Sequence, residues 1–266
     1  MYIRLGQAPS SWVLPPPPFV PVPPLKLTRV TNTQDVPYRY VCRIVTRPYD
    51  KGSASVGSGV LISPFHVLTC AHVIYPLESP HTGEIDVFPA QNGPDENSTR
   101  FRANGWAISP AWQPANCFTA GEDYGLIRLA TTTRQGFMPI RPFDPARLRR
   151  DVGINLAGYP ATREEKARHM YESRGAIWGA GQINGCVAGE PQGPVVRATA
   201  MTQLLIHDLD SAKSQSGGPM WSDDQILVAI HSGIIGGTWK KAIFLNEAVR
   251  NRIQEWITRT IPAPGR

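Results

Sequence analysis

Three short stretches carry residues whose types and order could support nucleophilic attack. In DSAKSQSGGPMW, residues 210–221, Ser216 stands before two glycines and a proline. Ser/Gly/Pro runs are ordinary turn punctuation, so this stretch alone decides nothing. In GSGVLISPFHVLTCAHVIYP a glycine-flanked apolar strand meets a turn at Ser63-Pro64, then a second strand, then His72. In GEDYGLIRLA, Asp123 heads an apolar strand, where its carboxylate can be buried with a partner. The residues follow in the order 72, 123, 216, each beside a strand. A serine hydroxyl is a weak nucleophile at neutral pH and needs a base, the role open to His72. Asp123 would hold the imidazole in the useful tautomer and stabilise the imidazolium. The backbone N–H groups of Ser214 and Ser216 would form an oxyanion hole, each donor worth about 3 kcal/mol in the transition state. Gly217 and Gly218 would leave room for close approach of a substrate.

The elements that must position these residues are mostly strands. YRYVCRIVT, GSGVLIS, HVLTCA, YGLIRLA, VGINLAGYP, QLLIHD and QILVAIHSG are short apolar or alternating runs, punctuated by Gly, Pro, Asn and Asp. That spacing marks an all-β sandwich or barrel. One helix is expected, from about Glu247 to Thr260, with Val249, Ile253, Trp256 and Ile257 at helical spacing. Asn246 is its expected N-cap, and Pro262 lies just past its end. There is no repeat of fixed period and no βαβ alternation.

Composition removes several classes of function. The chain has 266 residues, 41% hydrophobic and 18% charged, enough for one large domain or two packed lobes. Its formal net charge of +6 comes from scattered residues, with no basic stripe interleaved with aromatics, which argues against a nucleic-acid face. No apolar run approaches the roughly 20 residues of a membrane span. Cys42, Cys70, Cys117 and Cys186 show no CxxC spacing, so neither a zinc site nor another metal or cofactor is expected, and free thiols are. Residues 1–28 are proline-rich and form an extended arm that could dock a partner, lie on the body or act as a tail. They lack a secretory h-region, which leaves the location open between the cytoplasm and export by a non-classical route.

The order His72, Asp123, Ser216 is that of the chymotrypsin-like triad. The chain resembles the chymotrypsin-like serine endopeptidases, and within them the bacterial glutamyl endopeptidases. The resemblance covers about residues 29–260, with EDYGLIRL and SQSGGP as its specific stretches. It implies two six-stranded antiparallel β-barrels with a C-terminal α-helix, the first barrel over about 29–140 and the second over about 141–266. His72 and Asp123 would lie on the first barrel and Ser216 on the second, with a protein or peptide substrate across the cleft. Gln215 replaces the aspartate by which digestive relatives bind a newly cut N-terminus, and Ser214 replaces a glycine. Some glutamyl endopeptidases have a disulfide at the places that here resemble Ser214 and Ala161, where it would be missing.

The same resemblance assigns specificity. His231 lies 15 residues after Ser216, the spacing of the histidine that contacts an acidic P1 side chain in that group. Its companion hydroxyl would be Ser211, and Ser232 to Ile234, including Gly233, would pair with the substrate main chain. The expected activity is cleavage after Glu, then Asp. An inactive or autoinhibited protease fold, docking through its proline-rich arm, is the alternative.

Overall fold

A computed structural model describes residues 12–13, 26–49, 53–75, 82–94, 98–113, 117–144, 147, 153–161, 167–183, 195–197, 204–235 and 239–259. The first half closes into a six-stranded antiparallel barrel. Its strands are β3 (Val41–Pro48), β4 (Ser55–Ser63), β5 (His66–Thr69), β6 (Thr82–Pro89), β7 (Phe101–Ile108) and β8 (Gly125–Leu129), in the order β3-β4-β5-β8-β7-β6. Val41, Ile44, Val60, Leu68, Val87 and Leu126 are fully buried within it. The apolar runs in the sequence mark these strands because one face of each must be removed from water.

The second half contains β9 (Ile154–Gly158), β10 (Tyr171–Gly175), β11 (Ile177–Ile183), β12 (Val195–Arg197), β13 (Leu204–His207), β14 (Pro219–Ser222), β15 (Leu227–Ile235) and β16 (Trp239–Phe244). Pairing runs β11-β13-β16-β15-β14-β9-β10, and β10 and β11 are separated in the chain by Ala176 alone. The ring therefore returns on itself through one kinked strand, giving a second six-stranded barrel. At the kink, the N–H of Ala176 donates to the Asp208 carboxylate (2.7 Å) and its carbonyl accepts from the Asp208 N–H (3.3 Å). Two short edge strands from the arm, β1 (Trp12–Val13) on β12 and β2 (Thr28–Arg29) on β10, extend this sheet.

Before β8 a 3-10 turn spans Cys117–Glu122, and a one-turn helix α1 (Ala71–Ile74) follows β5. The chain closes with α2 (Glu247–Thr258), two residues shorter than its periodicity suggests because Arg259 is already extended. Asn246 caps it, its side chain accepting from the Val249 N–H (2.9 Å). Val249 and Ile253 are buried, and Trp256 stacks against Tyr124 on the first barrel (5.7 Å between ring centroids). The last element of the second half thus braces the residue next to Asp123. Among the described residues, no helix is long and apolar enough to cross a membrane.

Candidate active site

His72 and Asp123 meet because α1 and the start of β8 lie at the same end of the first barrel. His72 lies in α1, and β5 and β8 pair up to Thr69↔Gly125. The His72 N–H donates to Asp123 Oδ1 (3.0 Å), and Asp123 Oδ2 bonds His72 Nδ1 (2.7 Å). An ionised carboxylate there accepts from an Nδ1–H, which leaves Nε2 as the free proton acceptor. Ser232 donates to the same Oδ2 (2.6 Å). Burial pushes the Asp123 carboxyl up, but His72, Lys241 and Ser232 outweigh it and hold it below the usual carboxylate range.

Ser216 is delivered by a turn between Asp210 and β14. The Ser216 carbonyl accepts from the Ser58 N–H (2.8 Å), and the Gly217 N–H donates to the His231 carbonyl (2.7 Å). Among the described residues, no hydrogen bond joins the Ser216 hydroxyl to His72. Such bonds are often long without substrate and tighten in the complex. Gly217 has φ +85°, and a Cβ there would lie 2.1 Å from the Ser58 carbonyl oxygen and 2.2 Å from Thr69 Oγ1. Only glycine fits.

The two expected oxyanion donors are set by what holds the opposite ends of their peptides. In a planar trans peptide the N–H points away from the C=O. The peptide carrying the Ser214 N–H is anchored at the Lys213 carbonyl by the Ala161 N–H (2.7 Å). That carrying the Ser216 N–H is anchored at the Gln215 carbonyl by the Gly218 N–H (2.9 Å). Gln215 is fully buried, and its Oε1 accepts from the Ala212 N–H (2.8 Å), closing the loop on itself. Ser58 adds a clamp from the other barrel: its hydroxyl donates to the Ser214 carbonyl (2.9 Å) and accepts from the Tyr159 N–H (2.9 Å). Ala161 and the Ser214 loop are neighbours, joined here by main chain.

His231 is buried, and its Nδ1 lies 3.1 Å from Nε2 of His207, the last residue of β13. Burial, then the neighbouring His207 imidazole and the Lys241 and Lys240 ammonium groups, push His231 far below the usual histidine range. His207 is pushed down to about 3, chiefly by burial. Both rings are therefore neutral, and one must donate to the other. Ser211 is buried in the loop before Ser216, and Gly233 sits in β15 with φ +117° and open space around it. Asp210, six residues before Ser216, is a carboxylate to which no motif assigns a role. It takes Lys240 Nζ (3.1 Å) on one oxygen and the Lys26 N–H (2.8 Å) on the other.

Cys70 and Cys42 are buried free thiols. Cys70 donates to the His231 carbonyl (3.2 Å), and burial, then Asp123, raises it well above the usual thiol range. The side chain of Cys117 and all of Cys186 lie outside the described residues. Donor atoms of Cys70, His72 and Asp123 come within 4.8 Å of one another. The facing atoms of His72 and Asp123 are taken up by their mutual hydrogen bond, and the Cys70 thiol is turned to the His231 carbonyl.

The same fold recurs among solved proteases. A Glu endopeptidase superposes with a TM-score of 0.70 at 21% identity, covering 90% of this chain and all of its own. A thermostable serine protease from an extremophilic microorganism gives 0.59 at 16%, covering 83% of this chain and 98% of its own. A protease from M. tuberculosis in its active form gives 0.59 at 17%, covering 98% and 96%. No curated protein matches the sequence. The trypsin-like peptidase domain matches residues 57–230, which runs from β4 through the His72, Asp123 and Ser216 motifs into β15. The chain belongs to the trypsin-like peptidase family.

Proposed function

We propose that the protein is a serine endopeptidase. The observation that carries this is the His72–Asp123–Ser232 hydrogen-bonded set beside a Ser216 turn whose peptide carbonyls are tied back. Ser216 Oγ attacks the scissile carbonyl while His72 Nε2 takes its proton, with Asp123 stabilising the imidazolium. The oxyanion lies against the Ser214 and Ser216 N–H groups. His72 then protonates the leaving amine, and water reverses the sequence to free the acid. Fluorophosphonate labelling of the full chain tests this: Ser216 should be modified. Ser216→Ala or Asp123→Asn should lower peptide hydrolysis by roughly 10⁴-fold or more. A folded protein without labelling would leave a protease fold used as a binding module.

For specificity we infer glutamate, then aspartate, at P1. The neutral His207–His231 pair supports this, because a His207 Nε2–H donating into His231 Nδ1 leaves the His231 Nε2–H to donate outward. Asp210 does not oppose an acidic guest, since Lys240 and the Lys26 N–H already hold its oxygens. His231→Ala should lower kcat/KM for Glu substrates by about tenfold to a hundredfold, and change apolar P1 substrates much less. Peptide-library profiling that returned Arg or Lys at P1 would reject this specificity and reassign the pocket to Asp210.

A further inference from the structure

Behind the His72–Asp123 pair lies a lysine that acyl transfer does not require. In β15 and β16 the partners shift from His231↔Ala242 to Gly233↔Lys241. Two residues of β15 are thus spent against one of β16, and Ser232 is the extra residue of a bulge. A bulge re-aims a side chain, and the Ser232 hydroxyl points at Asp123 Oδ2 (2.6 Å). The Lys241 ammonium donates to that hydroxyl (2.6 Å) and stands 3.8 Å from the same Oδ2. Its side chain is 13% exposed and that of Asp123 is 5%. An ammonium taken this far out of water needs charged or hydrogen-bonding partners, and the ones it has belong to the site.

We propose that Lys241 is a positioning residue: a fixed positive charge that shares the Asp123 carboxylate with His72 and draws off part of its field at the imidazole. The proposal rests on the protease reading above. A carboxylate alone beside an imidazole favours its protonated form, and a second cation on that carboxylate takes part of the field away. The other titratable groups around the carboxylate do not supply this charge. On the α1 side, Cys70 is a buried thiol. On β15 and β13, His231 and His207 are held neutral. Lys240, next to Lys241 on β16, is paired with Asp210. Beside Asp123 itself, Tyr124 faces Glu122 and Arg252.

The test follows the His72 imidazole by NMR in histidine-labelled Ser216→Ala protein, with the His72 signal assigned by its loss in His72→Ala. In Lys241→Met the titration midpoint should move up by about one unit, and Lys241→Arg should restore it. Lys241→Gln, which keeps a donor toward Ser232 but no charge, should behave as Lys241→Met and replaces it if the latter does not fold. In the active protein the acid limb of kcat/KM should move the same way. A midpoint that stays put in a folded neutral variant overturns the proposal. The titration does not need turnover, so a wild-type chain that resists fluorophosphonate while its midpoint shifts would sink the protease reading and leave the charge sharing standing.

Discussion

Ser214 has φ +75°, in the left-handed region where a side chain is strained. The sequence raises the question, since serine stands there in place of a glycine, and the structure answers that the backbone keeps the glycine-like conformation. Such a residue costs about 1 kcal/mol or more. Ser214→Gly should therefore raise Tm by about 2–4 °C and leave Ser216 labelling intact, as differential scanning calorimetry with the labelling assay would establish. An unchanged or lower Tm would mean that the Ser214 side chain compensates for its backbone. His72, Asp123 and Ser216 are legible in the sequence as candidates because each sits in a motif beside an apolar strand, and His231 only through the resemblance to the glutamyl endopeptidases. Lys241 and His207 are not. Each belongs to a strand whose partner is distant in the chain, and only the β13-β16-β15 pairing brings them to Asp123 and His231.

At the level of elements, the turn into β14 is held by a strand of the opposite barrel. Ser58 in β4 uses its N–H on the Ser216 carbonyl and its hydroxyl on the Ser214 carbonyl, while Thr69 donates to the Ser58 carbonyl (2.6 Å). Ser58→Ala leaves the Tyr159 N–H and the Ser214 carbonyl without this partner. It should cost about 1–3 kcal/mol of stability. It should also lower kcat about tenfold with little change in KM, because a loosened donor hurts the oxyanion more than the ground state. An equal loss in both would instead indicate a pocket defect. Strands β3, β4, β5, β8, β9, β13 and β15 are legible as apolar runs, as is α2 from its period and cap. Strands β7 and β10 are not: FRANGWAI and YESRG are half-exposed and polar, and cross-strand pairing rather than an apolar face makes them strands. Strand β14 opens on a proline, which is tolerated at a first strand position.

For the whole molecule, buried neutral histidines predict acid sensitivity with a definite window. His207 titrates near 3 when folded, against about 6.5 for an unfolded histidine. Below about pH 6.5 the unfolded chain takes up a proton that the folded chain excludes. Stability present at neutral pH is therefore lost as pH falls from about 6.5 toward about 3, by up to about 1.4 kcal/mol per unit for each such group. Denaturant titrations between pH 7 and 5 should show this slope, and His207→Gln should flatten it by about one proton. Parallel slopes would mean that His207 is protonated in the fold. Another property of the whole chain follows from the Cys70 thiol on the His231 carbonyl and from Ser58 on the Ser214 loop. Ser232 on Asp123 runs the other way, so each half supplies contacts to the candidate site of the other, and neither half alone is expected to assemble it. A chain cut between β8 and β9 should regain fluorophosphonate reactivity only when both fragments are mixed. Reactivity would then serve as a gauge of reassembly, and swapping one half for that of a distant relative should fail at this seam before it fails in either core.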